Sequence, residues 1–285
     1  SVIEGNQKVG GASLYRLTAS RKSLVLRSLY VVLDVVYLFV TYGFLDAAGG
    51  YNIRQYRSKN PDGPYVDIMG QDGNEMKNTG LKISGNYGFE GEGTAYLSSG
   101  HSSYLTDSDG RIFEAFHTRY NDGYGGYFNM KIHQMVRTES GWLTPLPLSY
   151  KGEGINEKGY DETLLYGEWQ IVDLNSVTVK AEVKDGATDF NTSVSPTQKV
   201  TFKNSGEING FIDYIPSAFN AKENGSAVKG TFNYKTGTEF ITLTFGDVEY
   251  EGVLCEMTGE SGKKYLALSA VGSDNSTLLG IKETV

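Results

Sequence analysis

Cysteine is nearly absent from this 285-residue chain: Cys255 stands alone, which excludes an internal disulfide framework and leaves the redox compartment open. Proline is scarce, at 6 residues, and histidine scarcer, at 3. There is no basic block, and the net charge is −8. Together these argue against a nucleic-acid partner, whose phosphates need a basic track. Long hydrophobic runs are missing too. The most apolar stretch, "LVLRSLYVVLDVVYLFV" at 24–40, is interrupted by Arg27 and Asp34. A membrane span needs about twenty predominantly apolar residues, so no membrane segment is expected. Neither an initiator Met nor a signal peptide is present, and the start of the protein is expected to lie upstream.

What is abundant is glycine, at 36 residues, and tyrosine, at 20, together with Phe, Val and Thr. Gly-rich turns between β-branched and aromatic runs point to a mostly β chain, long enough for one large or two ordinary domains. Residues 37–152 read as short strands divided by Gly, Asn and Asp turns, among them "YLFVTYG", "YNIRQYRS", "TAYLSS", "RIFEAFHTRY" and "YFNMKIHQMV". The polar stretch "EGINEKGYDETL", 153–164, reads as a linker. Eight strand-like runs follow: "GEWQIVDL", "SVTVKAEVK", "QKVTFK", "VKGTFNYKT", "FITLTFG", "VEYEGVLCEM", "KKYLALSAV" and "STLLGIKE". Their turn spacing is that of an up-and-down barrel or a sandwich.

The three histidines, His101, His117 and His133, stand sixteen residues apart. Alternation puts His117 on one strand face with Phe113 and Ala115, and Glu114, Phe116 and Thr118 on the other. His117 and His133 therefore read as mid-strand, hydrogen-bonded, half-buried groups. His101 follows Gly100 and precedes two serines, as in a strand-entry loop, where ligand groups concentrate. A three-histidine zinc site would require all three rings to converge, which strand spacing alone does not provide. Asp107 and Asp109 in "TDSDG" read as a hairpin turn, since a calcium loop needs further ligands and a closing Glu. Tyr51, Tyr87, Tyr120, Tyr124 and Trp142 lie in or near turns, placed for packing or for stacking on sugar. Arg119 could reach a cavity or pair with a carboxylate.

The order "SSGHSSYLTDSDGRIFEAFHTRY", "IHQM", "GWLTPLPLSYKGE" resembles the last blade of family 43 glycoside hydrolases, most closely their endo-arabinanases. "YLFVTYGFLDAAGGYNIRQYRSKNPDGPYVD" resembles the preceding blade, and "SVIEG" resembles the family's Ile-Glu-Gly-Pro element. The likeness covers residues 1–5 and 37–153, and 165–285 resemble the lipocalin-like β-barrel that follows such propellers. It implies an all-β chain: the last blades of a five-bladed β-propeller over 1–153, then a small lipocalin-like barrel over 165–285. Asn6 replaces the family's proline, and residues 6–36 depart from the pattern, as a frameshift or an insertion would. This stretch is expected to be aberrant and without stable structure.

The resemblance implies a secreted, monomeric glycosidase acting on a polysaccharide, arabinan, by inverting endo-hydrolysis of α-1,5-L-arabinofuranosidic bonds. In that chemistry one carboxylic acid protonates the leaving oxygen and a carboxylate base activates water. Glu4 matches the acid. No residue here matches the base or the aspartate that tunes the acid, so this chain by itself is expected to be inactive. His101 matches a histidine that faces one calcium ion held mostly through waters, while Tyr51, Tyr120 and Arg119 are candidates for substrate binding. An exo-acting arabinofuranosidase or β-xylosidase of the same family, and a non-catalytic carbohydrate-binding β protein, are the alternatives.

Overall fold

The computed structural model describes residues 3–9, 12–17, 27–32, 34–46, 48–74, 78–93, 95–120 and 128–284. Two antiparallel sheets precede a barrel. The first runs in sequence order through β1 (Ile3–Val9), β2 (Ala12–Leu17), β3 (Arg27–Val32), β4 (Val35–Tyr42), β5 (Asn52–Ser58) and β6 (Leu81–Ser84). The second is a four-stranded meander, as expected of a blade: β7 (Tyr96–Thr106), β8 (Ile112–Tyr120), β9 (Phe128–Arg137) and the short β10 (Leu143–Pro145). Its first hairpin turns where "TDSDG" predicts, with Asp107 Oδ1 accepting from the amides of Asp109 and Arg111. The stretch expected to lack structure instead supplies paired backbone. Arg27–Val32 pairs with Val35–Val40, and Leu14–Arg16 pairs with Ser28–Tyr30. Tyr30 is buried in the same core as Phe39 and Tyr104.

The second half closes into a barrel: β11 (Gly167–Asp173), then β14 (Thr197–Phe202), β15 (Glu207–Asp213), β16 (Ser226–Tyr234), β17 (Phe240–Phe245), β18 (Val248–Thr258), β19 (Lys264–Gly272) and β20 (Thr277–Glu283), which returns to β11. A small hairpin, β12 (Glu182–Lys184) with β13 (Ala187–Asp189), lies outside it. Seven of the eight expected runs are barrel strands, and one is not. "SVTVKAEVK" leaves the barrel and crosses to the first sheet, where the Ala181 amide donates to Ala48 O at 3.0 Å. The eighth strand is "EINGFID", whose alternation is masked by a bulge at Gly210, with φ of 94°.

The barrel fills its own interior with Trp169, Phe202, Phe211, Leu243 and Leu268. Its wall of β18–β20 is also buried from outside, because Val253, Cys255, Met257, Ala267, Leu279 and Ile281 pack against Tyr87, Tyr96, Val136, Leu146 and Leu148 of the blade half. Burial on both faces is why "YLALSAV" and "TLLGI" read as unbroken apolar runs. The expected linker is docked as well. The Tyr160 amide donates to Tyr234 Oη at 2.7 Å, and Glu153 accepts from the Thr258 amide at 3.0 Å.

Arg54, wholly buried on β5, pins these parts together. Its guanidinium donates to Asn52 Oδ1, Thr79 O and Asn78 Oδ1, and across the joint to Ser176 O at 2.5 Å and Thr178 Oγ1 at 3.1 Å. A lysine keeps the charge but cannot fork to these acceptors. Arg54→Lys is therefore expected to cost about 3 kcal/mol by stranding several of them. Calorimetry should still show blades and barrel melting in one transition at a lower midpoint. Two separated transitions in the parent protein would count against a shared core.

Candidate functional site

Three local features build a cleft at the mouth of β7. The strand carries register shifts between Leu97 and Gly100 and again between Gly100 and Ser103, with Ser98 at φ 52° and His101 at φ 54°. Bulges of this kind turn a side chain out of a sheet. His101 is thus exposed at a bulge within a long strand, not in a strand-entry loop. Beside it, Gly100 makes room for Tyr51, since a Cβ there would lie 2.4 Å from Tyr51 Cε1 and 2.8 Å from Thr41 Cγ2. Across the pair, Gly100 faces His117 on β8. The Tyr51 and His117 rings stack with centroids 5.6 Å apart and planes at 19°.

His117 is therefore more than a strand residue. Its ring lies 6.0 Å from that of His101, and Phe128 packs edge-on against it at 5.1 Å. Arg119, two residues on, places its guanidinium 4.0 Å from the Phe128 ring centre, at the same cleft. Burial lowers the His117 pKa, the neighbouring His101 and Arg119 lower it further, and a Ser98 backbone hydrogen bond only partly opposes them. Among the described residues its Nε2 has no hydrogen-bond partner. At neutral pH the ring is thus an uncharged imidazole next to an aromatic face, with Nε2 itself buried. Tyr51, His101 and Arg119 all lie around His117. The side chain of Tyr120 lies outside the described residues, and so does that of Glu4, whose backbone sits in β1 opposite Arg16. Tyr124 lies outside them altogether.

The other aromatic candidates are packing. Tyr87 is buried with its hydroxyl on Pro147 O, and Trp142 is buried beneath the Arg57 guanidinium at 4.1 Å. His133 is part of the core, with Nδ1 on Leu146 O at 2.7 Å and its ring edge-on to Phe116 and Tyr96. The three histidines do not converge. Among the described residues no group of three or more His, Cys, Asp or Glu side chains could hold an ion. His101 by itself supplies one imidazole, so calcium, which takes six to eight oxygen ligands, would be held here mostly through waters, and no step is assigned to it. Behind Tyr51, a cavity of about 20 Å³ between blade and barrel, lined by Lys82, Asn86, Asp173 and Gln198, has room for one water.

One buried acid escaped the sequence reading as a site. Glu114 is fully buried on the face of β8 opposite His117, where burial pushes its pKa to about 7 although Tyr104 and Ser102 hydrogen-bond to it. No substrate reaches it through the sheet.

Residues 147–280 match the C-terminal lipocalin-like domain of glycoside hydrolase family 43. The chain carries that domain. It is 30% identical over 268 residues to an extracellular endo-α-(1→5)-L-arabinanase of Thermotoga petrophila, covering 87% of this chain and 50% of the relative. It is 29% identical over 264 residues to the extracellular endo-α-(1→5)-L-arabinanase 2 of Bacillus subtilis, covering 86% and 50%. Among solved structures, the T. petrophila endo-1,5-α-L-arabinanase superposes with a TM-score of 0.71 at 28% identity, covering 87% of this chain and 52% of that one. A family 43 protein of Bacillus licheniformis superposes equally, at 0.71 and 27%, with the same coverage. The chain spans about half the length of the curated relatives it matches. The chain has the expected all-β fold, curled blade sheets followed by a closed barrel.

Two predictions test this geometry. Gly100→Ala must push the Tyr51 ring off His117, at a cost of about 1–3 kcal/mol. NMR titration should then show the His117 pKa rising toward its ordinary 6.5 as the ring gains water, and an unchanged value would overturn the packing. For His133, burial holds the pKa down at about 4, against 6.5 in the unfolded chain. As pH falls below 6.5 the unfolded state takes a proton that the native state refuses, so stability is lost progressively down to about 4. Between pH 7 and 5 the loss is about 2 kcal/mol. His133→Gln keeps a donor for Leu146 O and should flatten that limb in urea titrations relative to the parent.

Proposed function

We propose that this chain is the C-terminal half of an extracellular endo-arabinanase that cleaves α-1,5-L-arabinofuranosidic bonds of arabinan with inversion. The observation that carries the reading is the Tyr51–His117 stack beside His101, which the missing Cβ of Gly100 permits. Sugar rings present apolar C–H faces and hydrogen-bonding rims. A flat tyrosine beside an uncharged imidazole, with the Arg119 donors close by, suits both. The names of the two curated relatives support arabinan as the polymer. Arg119 supplies donors at the cleft rim, and Tyr120 extends β8 toward the same mouth.

In this reading Glu4 is the general acid that protonates the leaving oxygen. A carboxylate base on the opposite side of the sugar activates water. The cleft residues described above include no carboxylate, and no motif in this sequence matches the base, so the chain binds substrate without turning it over. Isothermal titration of this chain with α-1,5-arabino-oligosaccharides should show binding without release of reducing ends. Tyr51→Ala and His117→Ala should each weaken it about tenfold. Absence of binding, or preference for xylo-oligosaccharides, would sink the arabinanase assignment. In an enzyme of full length, Glu4→Gln should slow arabinan hydrolysis about 10²–10⁴-fold. An aryl arabinoside with a good leaving group should lose less, and equal losses on both would remove Glu4 from the acid role.

A further inference from the structure

The blade loop after β4 and a barrel loop, joined through Lys180, expose large apolar side chains near the cleft. Phe44 is 62% exposed, Leu45 51%, Ile215 63% and Phe219 54%. The barrel side reaches this loop through Lys180. Its amide donates to Ala218 O at 2.8 Å, and its ammonium lies 4.7 Å from the Phe44 ring centre. Phe219 is presented by a tight turn in which the Ser217 amide donates to Asn220 O at 2.9 Å.

The patch is continuous with the cleft. Phe44 bridges to Gly50, the residue before Tyr51, and its amide donates to Gly49 O at 3.1 Å. Asp46 O accepts from Ser98 Oγ at 3.2 Å, on the bulged strand that carries Gly100 and His101. On the barrel side, Gly50 lies so close to Val179 that a Cβ would come within 2.5 Å of its carbonyl oxygen. Large apolar side chains gathered on a surface mark a place where something binds.

We propose that this patch is a distal platform for the arabinan chain, built jointly by the blade loop and the barrel, on which furanose rings beyond the Tyr51–His117 cleft rest. The proposal deepens the arabinanase reading and rests on it. A polymer lying in the cleft passes over the adjoining loop, and Phe44 and Phe219 offer it exposed rings. Lys180 holds the Phe44 ring from the barrel side. The barrel thereby becomes part of the substrate surface.

The test compares arabinotriose, which fills the cleft, with debranched linear arabinan, measured by titration on this chain and on Phe44→Ser and Phe219→Ser. Both residues are exposed, so thermal midpoints should stay at the parent value. Each variant should bind arabinan about tenfold more weakly and arabinotriose as the parent does. Tyr51→Ala should weaken both ligands. Parent-like arabinan binding in both phenylalanine variants, while Tyr51→Ala weakens it, would overturn the platform and leave the cleft reading standing. Equal loss on both ligands, or a parent self-association that these variants abolish, would also overturn the platform. Failure of the parent to bind either ligand would overturn both readings.

Discussion

The guanidinium of Arg54 fixes the geometry of the cleft from behind. It holds Asn52 and the carbonyl of Thr79 within the blade half, and Ser176 and Thr178 on the segment that has left the barrel. Asn52 in turn donates to Gly50 O and Thr178 Oγ1. Tyr51 sits between these two anchored residues, so its ring is aimed by backbone that cannot drift. Burial lowers the Arg54 pKa to about 10, yet it remains charged at neutral pH, and a buried charge demands every one of those acceptors. The demand makes the joint between the two halves specific as well as stable.

The apolar wall complements that pin. A barrel needs one buried face, but β18–β20 have two, and their outer face is the floor on which the blade meander rests. On the inner face of the same strands, small residues make room for the filling. A Cβ on Gly252 would lie 2.9 Å from Leu268 and 3.0 Å from Ala270, and one on Gly280 would lie 2.5 Å from Ile171. Separating the halves would expose the outer face to water, so the barrel is part of the same folding unit as the cleft. Lys82 shows the same logic in polar form. Its ammonium donates to Asn175 O and Val177 O across the joint, and burial lowers its pKa to about 7.

How far sequence reading reached depends on which periodicity each segment kept. The barrel strands other than β15 announced themselves by runs or alternation bounded by turns. Glu207–Asp213 did not, because Gly210 adds a residue to the strand and throws the alternation out of phase. "SVTVKAEVK" alternates well and yet crosses over, since its partners are the Ala48 and Ala218 carbonyls and not a neighbouring barrel strand. The same limit governs the histidines. Alternation correctly set His117 and Glu114 on opposite faces of β8, but it carries no information on which face meets Tyr51. That depends on Gly100 and on a bulge, neither of which has a period. His133 was legible as a strand residue, and its bond to Leu146 O explains why it belongs to the core.

The two faces of β8 divide the chemistry of the sheet. Behind it, Glu114 has the raised pKa of a proton donor, but Tyr104 and the core seal it from any substrate. In front, His117 is held neutral by burial and by the charge of Arg119. A neutral imidazole stacked on tyrosine enlarges the flat, uncharged surface of the cleft. This half of the site is therefore chemically suited to holding and orienting a neutral sugar. An acid near neutral pH and a base to activate water are a different demand, which needs carboxylates set apart on either side of the glycosidic bond. Neither face of β8 meets that demand. In the proposed reading, the work of bond cleavage falls to Glu4 and to a base that the cleft residues do not supply.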